Sequence, residues 1–203
     1  MKAMLILLMR TARCATEAAQ SFIAVGAQYK NGGFKLYDVP DAKSEDAQSV
    51  GAFIEGAYDF KAGAAIVAPR GLFAVGRNFP EHGVNVTEYD LRPEVELRLP
   101  LAGGIQPFVA TGLNYYKVHD GADQLNPLVG VGVQFHEVRG SFYRVFPDSD
   151  RGDARGYLYR FDYTKKLSPF GLRLSGEVFT GRSDLKKVSY EGHIITFRAA
   201  LVK

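Results

Sequence analysis

The chain has 203 residues, of which 46% are hydrophobic and 23% charged. These values exclude wholesale disorder and fit one domain, or two small ones. A helical membrane span is excluded because no apolar run approaches about 18 residues. The net charge of +3 is spread along the chain, so no nucleic-acid partner is expected.

The first element in chain order is a predicted signal peptide at residues 1–20. Lys2 precedes the apolar run 4–9, and small residues follow at Ala12, Ala15, Ala18 and Ala19, which is the order that a secretory signal has. Arg10 and Arg13 interrupt the pattern, and an N-terminal extension without a targeting role is the alternative. The single cysteine, Cys14, lies in this segment. The remaining chain, 21–203, therefore has no thiol chemistry, and no cofactor is expected.

From residue 21 onward the sequence alternates between apolar and polar positions, which is typical of strands with two different faces. The clearest run is 88–99, where apolar residues occupy the odd positions and charged residues the even ones. The same alternation occurs in 49–60, 105–117, 128–137, 157–164, 172–180 and the last strand, 192–202. Weaker strand-like segments are 22–36, 64–76 and 141–146. The pattern predicts about ten strands, or eight if the weaker segments are not independent strands.

The connections between these segments are predicted to alternate in length. Short turns are expected at 61–63, 100–104, 138–140 and 167–169, and longer polar loops at 38–48, 77–85, 118–126, 147–156 and 182–189. Short turns on one side and long loops on the other are typical of a transmembrane β-barrel. The fold class is therefore all-β: a closed, antiparallel, up-and-down transmembrane barrel.

The polar faces carry charges of both signs, which can pair across a narrow lumen. The predicted luminal network consists of Glu55, Asp59, Asp90, Arg92, Glu94, Glu96, Arg98, Arg160, Asp162, Arg173, Glu177 and Arg198. A packed network is favoured over an open polar pore in a barrel of this strand count. The same alternation also permits a soluble ligand-binding barrel of lipocalin type, with its apolar faces turned inward.

Residues 21–203 resemble small outer-membrane β-barrel proteins of Gram-negative bacteria. The resemblance is carried by the alternating strands, by the hairpin from Arg92-Pro93-Glu94 to Pro107-Phe108-Val109, and by the strand 192–202. It implies a location in the cell outer membrane. It also implies contact with outer-membrane lipid, lipopolysaccharide and the barrel assembly machinery.

One loop stands out for possible interactions with a surface ligand. The segment 147–156 contains the candidates Asp148, Asp150, Arg151, Gly152 and Asp153, which combine an Arg-Gly-Asp tripeptide with acidic residues suited to a divalent cation. A solvated turn is the favoured interpretation, since these are turn-forming residues.

No catalytic or metal-binding residues are predicted. Among the four histidines, His136 is expected in the lumen and His193 near the outer rim, and no metal-ligand spacing is present. A hydrolase at the rim, using His193 with Glu191 and Ser189, is a minor alternative. The sequence therefore favours a non-enzymatic barrel with a structural or surface-interaction role, and a narrow porin-like channel for small solutes is the second hypothesis.

Overall fold

The computed structural model describes residues 21–36, 45–81, 85–119, 123–147, 153–185 and 188–203. These residues form strands β1 (Phe22–Leu36), β2 (Glu45–Ala57), β3 (Phe60–Ala62), β4 (Ala65–Pro80), β5 (Val86–Arg98), β6 (Ile105–Val118), β7 (Asp123–Phe135), β8 (Val138–Val145), β9 (Asp153–Lys166), β10 (Gly171–Leu185) and β11 (Val188–Val202). A short 3-10 turn spans Ala102–Gly104. No helix in this part of the chain is long and apolar enough to cross a membrane. The predicted signal peptide, 1–20, lies outside the described residues.

The strands close into an antiparallel barrel. From β4 to β11 each strand pairs with the next in sequence, β2 pairs with β1 and β4, and β1 also pairs with β11. The short strand β3 continues β2 in the same register against β4, so the described strands make ten barrel strands. The prediction of a closed barrel of about ten strands is confirmed, and the eight-strand alternative is wrong.

The register fixes the stagger of the barrel. Paired residues followed once around the sheet from Phe22 lead back to β1 at Phe34, twelve positions further along. With ten strands, this stagger tilts them by about 40° from the barrel axis. Because the stagger is even, an inward position remains inward after a full circuit.

Apolar side chains cover the outside of the barrel and charged side chains fill the inside. On β5, Val95 is 48% exposed, whereas the next residue, Glu96, is 0% exposed. The other strands repeat this alternation. The orientation is the opposite of the one that the lipocalin-type alternative requires.

The connections alternate between two ends of the barrel. The turn end carries 63–64, 99–104, 136–137 and 167–170, and the loop end carries 37–44, 81–85, 119–122, 146–152 and 186–187. Several strands reach further into the loops than predicted. The hairpin β10–β11, for example, is paired up to Leu185 and Val188.

One predicted turn was placed two residues too late. The turn between β7 and β8 is His136-Glu137, and His136 adopts a positive φ of 51°. The prediction of a turn at 138–140 is therefore wrong, as is the luminal position predicted for His136, which is exposed. The shift moves Arg139 from a turn to an inward position on β8.

Two apolar clusters line parts of the inner wall. One comprises Ala24, Phe53, Leu72, Ala74, Ala200 and Val202, with Phe22 packed against it. The other comprises Phe108, Ala110, Leu128, Tyr143, Val145 and Leu158, with Phe179 packed against it. Guanidinium groups stack on their rings: Arg173 lies 4.7 Å from the centroid of Phe22, and Arg139 lies 4.5 Å from that of Phe108. The aromatic faces therefore position part of the charged network.

Candidate functional site

The structure places all twelve predicted luminal charges on the inward face, where their side chains are buried. Four further buried charges lie outside the predicted network: Lys30, Arg70, Glu88 and Arg139, of which only Glu88 belongs to the predicted charged face of 88–99. Together, the described interior holds eight cations and eight carboxylates. The cations are Lys30, Arg70, Arg92, Arg98, Arg139, Arg160, Arg173 and Arg198; the carboxylates are Glu55, Asp59, Glu88, Asp90, Glu94, Glu96, Asp162 and Glu177. The interior is therefore neutral in formal charge.

Glu55 is the centre of the network toward the turn end. Its carboxylate accepts hydrogen bonds from Arg173 at 3.1 Å, from Arg70 at 3.2 Å and from Arg160. Glu55 lies on β2, whereas Arg160 and Arg173 lie on β9 and β10 across the lumen. One carboxylate therefore joins opposite walls of the barrel.

Arg139 connects two further carboxylates at the same level. Its guanidinium donates to Asp162 at 2.9 Å and to Glu96, and it also contacts the Tyr143 hydroxyl at 3.1 Å. Glu96 also accepts a hydrogen bond from Arg98 at 2.9 Å. The charges near the turn end therefore form one connected set rather than separate pairs.

The middle of the lumen is crossed by a two-point ion pair. Arg92 donates through both terminal nitrogens to Glu177, at 2.7 Å and 3.1 Å. Arg92 is on β5 and Glu177 is on β10, five strands apart in the ten-stranded barrel. Arg198 also donates to Glu177, at 3.2 Å. A bidentate pair between diametrically opposite strands closes the section of the lumen at which it lies.

Glu88 gathers the polar contacts nearest the loop end. It accepts hydrogen bonds from Ser49 at 2.7 Å and from Tyr116 at 2.8 Å, and Lys30 lies 3.0 Å away. Lys30 also lies 5.4 Å from the centroid of the Tyr116 ring. The network thus extends through most of the height of the barrel.

One small cavity lies between these side chains near the turn end. A cavity of about 20 Å³ is lined by Phe22, Arg70, Arg98, Gln134, Glu137, Arg139, Asp162, Thr164 and Arg173. This volume accommodates about one water molecule. Charged side chains from several strands enclose this cavity.

The interior charges outside the predicted network were missed for different reasons. Arg70 lies on β4, where inward Leu72 and outward Phe73 are both apolar, so the segment shows no clear alternation. Arg139 was missed because the turn before it was misplaced. Glu88 follows the even-numbered phase of 90–98, and extending the odd-numbered phase of β8 back from Tyr143 leads to Arg139.

The remaining candidates lie elsewhere. Asp148, Asp150, Arg151 and Gly152 are outside the described residues, and Asp153 begins β9 opposite Asp184. His193 is exposed on the outward face of β11, opposite Thr180. Within the described part of the chain, no cluster of three or more His, Cys, Asp or Glu side chains has the arrangement of a metal site.

The sequence matches no protein-family model, and no curated protein is similar to it in sequence. Solved structures with a related architecture include an outer membrane channel from Pseudomonas putida F1, with 11% identity and a TM-score of 0.48 over 90% of this chain and 95% of that chain. The β domain of the Bordetella autotransporter BrkA has 14% identity and a TM-score of 0.38 over 89% of this chain and 98% of that chain. The translocator domain of the autotransporter NalP from Neisseria meningitidis has 10% identity and a TM-score of 0.28 over 97% and 95%. These similarities assign no activity to the chain.

Proposed function

We propose that this chain is an outer-membrane β-barrel whose lumen does not conduct ions, and that it acts as a structural support for the connections at its loop end. The neutral interior network carries this proposal, because its ion pairs join opposite walls at several levels. A membrane location is supported by the apolar outer surface, which exposes large hydrophobic side chains on every long strand. Outer-membrane lipid, lipopolysaccharide and the assembly machinery are its proposed partners.

The network opposes conduction for an energetic reason. A solute crossing the lumen has to displace the bidentate contact between Arg92 and Glu177, or the contacts of Glu55 with three arginines. Separating a buried pair without replacing its contacts costs about 3–5 kcal/mol. Several such separations in series make a steady open path strongly unfavourable.

Planar-bilayer recording tests the proposal. We expect the purified, folded barrel to give no steady current steps under conditions in which a general porin conducts. Insertion is checked separately by floating the same proteoliposomes on a density gradient. This control distinguishes an inserted barrel that carries no current from a protein that failed to insert. Steady steps from the inserted wild-type protein would overturn the proposal and favour the narrow-channel hypothesis.

The surface-interaction role is the finer part of the proposal. The strands that flank five connections, including 37–44 and 146–152, begin or end at the loop end. A barrel whose opposite walls are joined by interior ion pairs is a rigid scaffold, and such a scaffold can present these connections on one side of a membrane. Removal of 148–152 should therefore leave the barrel folded, as seen from its gel mobility before and after boiling.

A further inference from the structure

The outer surface of β8, β9 and β10 carries basic residues next to a group of aromatic rings. Arg144, Arg155 and Arg182 lie on these three adjacent strands near the loop end, and we call them the basic patch. The register places Arg155 directly opposite Arg182 and places Arg144 directly opposite Tyr157. The patch is therefore compact and belongs to one side of the barrel.

Arg144 is the least expected member of this patch. Its neighbours two positions away are Phe142 on β8 and Phe146 directly after the strand, which are 36% and 42% exposed. Its guanidinium lies 4.5 Å from the centroid of the Tyr157 ring. In a membrane, an outward-facing arginine among aromatic residues costs free energy unless it reaches the interface or an anion.

Arg155 and Arg182 place two further positively charged residues beside Arg144. Side chains directly opposite each other on antiparallel strands have Cβ atoms about 5 Å apart, and like charges in that position repel. Glu191 is opposite Arg182 on the other side and faces the positive charge of that residue. The next pair in the same phase toward the loops is Asp153 opposite Asp184, so the arginines lie between acidic residues and the aromatic rings.

Aromatic rings extend from the patch toward the middle of the barrel. Phe142 stacks on Tyr157 with centroids 5.6 Å apart and an interplanar angle of 22°. Phe142 also contacts Tyr159, at 5.2 Å. All three rings are exposed on the outer surface. The arginines lie nearer the loop end and the aromatic rings nearer the middle of the barrel. A lipid with an anionic headgroup and long acyl chains has the complementary arrangement of charge and apolar surface.

We propose that the basic patch and these rings bind one phosphate-bearing lipid in the membrane leaflet on the loop side. The arginines contact the phosphate, and the rings of Phe142, Tyr157 and Tyr159 contact the acyl chains. The inference rests on the membrane location in the proposed function, but it does not depend on whether the lumen conducts.

Lipid binding to the purified full barrel in mild detergent tests this inference. The probes are lipid A carrying two phosphates, the same glycolipid with its phosphates removed, and inorganic phosphate alone, with retained ligand measured by native mass spectrometry. We expect binding of the phosphorylated lipid only. The double variant Arg144→Gln, Arg155→Gln should lower that affinity by about tenfold or more.

Two matched variants control for general electrostatic attraction. Arg77→Gln removes an outward arginine near the same end of β4, where its partners are Val50 and Thr87. Lys165→Gln removes an exposed cation at the other end of β9. Both should change affinity by less than about twofold, and every variant must keep the gel shift on boiling that indicates a folded barrel.

Four results would overturn the proposal. Three are equal binding of the dephosphorylated glycolipid, binding of inorganic phosphate with the same sensitivity to the double variant, and an equal loss of affinity in Arg77→Gln. The fourth is an unchanged affinity in the double variant. If the double variant binds like the wild type while the barrel remains inserted and silent, the lipid site is wrong and the closed-barrel proposal stands.

Discussion

Burial of the Glu177 carboxylate inside the barrel removes its hydration, at a cost of several kcal/mol. Arg92 and Arg198 replace that hydration with charge-assisted hydrogen bonds at 2.7 to 3.2 Å. The two arginines are not equivalent, because only Arg92 makes a two-point contact. Each also has a second carboxylate nearby, since Asp90 lies 3.7 Å from Arg92 and 3.9 Å from Arg198.

This arrangement predicts an asymmetric double-mutant cycle. Glu177→Met leaves two arginines without their main partner and should lower the free energy of unfolding by about 3–5 kcal/mol. Arg92→Met should cost less, because Arg198 still contacts Glu177. The double variant should cost at least about 1 kcal/mol less than the sum of the two single variants.

Urea unfolding in detergent, followed by far-UV circular dichroism, measures these changes. Tryptophan fluorescence does not apply because the chain has no tryptophan. Lys165→Met, on the exposed outer face, is the control and should change stability by less than about 0.5 kcal/mol. Additive losses in the cycle would show that Arg92 and Glu177 do not act as a pair.

The sequence predicted interior residues wherever the two faces of a strand differ in polarity. In the run 88–98, charges at every second position fixed the inward phase. That signal fails for aromatic side chains, since Phe53 and Phe108 are buried inside while Phe73 and Phe161 are exposed outside. It also cannot identify which charges pair, because pairing across the lumen depends on stagger and closure.

At the scale of strands, two glycines on β7 accommodate aromatic rings from the neighbouring strands β6 and β8. A Cβ atom added to Gly132 would lie 2.3 Å from the Phe108 ring and 2.5 Å from the Gly140 carbonyl oxygen. A Cβ atom added to Gly130 would lie 2.3 Å from the Tyr143 ring. The glycines of β7 therefore leave room on the inner wall for two aromatic side chains.

A paired comparison on these strands tests that role. Gly132→Ala should lower the free energy of unfolding by about 1–3 kcal/mol, because the Phe108 ring and neighbouring backbone must shift. Gly140→Ala has nothing within 4 Å of the added carbon and should change stability by less than about 0.5 kcal/mol. Equal effects of the two variants, measured by urea unfolding, would show that the glycines contribute only through backbone propensity.

Strand ends were harder to predict than strands. The turn His136-Glu137 contains neither glycine nor proline, whereas Gly140, which suggested a turn, lies within β8. Polar residues near the loop end were also predicted as loop although they belong to strands. For example, 147–156 was predicted as a loop, but β9 begins at Asp153. Turn-forming residues therefore indicate where a hairpin lies, but they do not fix the residues at which its strands end.

At the scale of the whole molecule, the polarity of a soluble protein is inverted. The neutral charged interior replaces an apolar core, and the outer surface exposes valine, leucine and aromatic side chains. The sequence predicted this orientation from loop asymmetry and mixed charges. The sequence did not decide between ten and eight strands. The segments that form β4 and β8 alternate only weakly, so they are recognised as barrel strands only from their pairing in the structure.

The apolar outer surface has the height expected for a membrane. On β5 and the residue after it, the outward positions from Tyr89 to Leu99 are all apolar or aromatic. Ten residue steps extend about 33 Å along a strand, which at a tilt of about 40° corresponds to about 25 Å along the barrel axis. Transmembrane barrels have an apolar band of about 25 Å.

The depth of an outward-facing residue within this band predicts how much stability is lost when that residue is replaced by arginine. Val95 lies near its middle, and Val95→Arg should lower stability in phosphatidylcholine bilayers by about 2–4 kcal/mol. Leu99, on the same face at the turn end, is the matched control, and Leu99→Arg should cost about 0–1 kcal/mol. Both residues are similarly exposed, at 48% and 51%, so a difference between them reflects depth in the bilayer rather than protein packing. Equal costs in bilayers would place the band outside the hydrocarbon region and remove the main support for a membrane-spanning barrel.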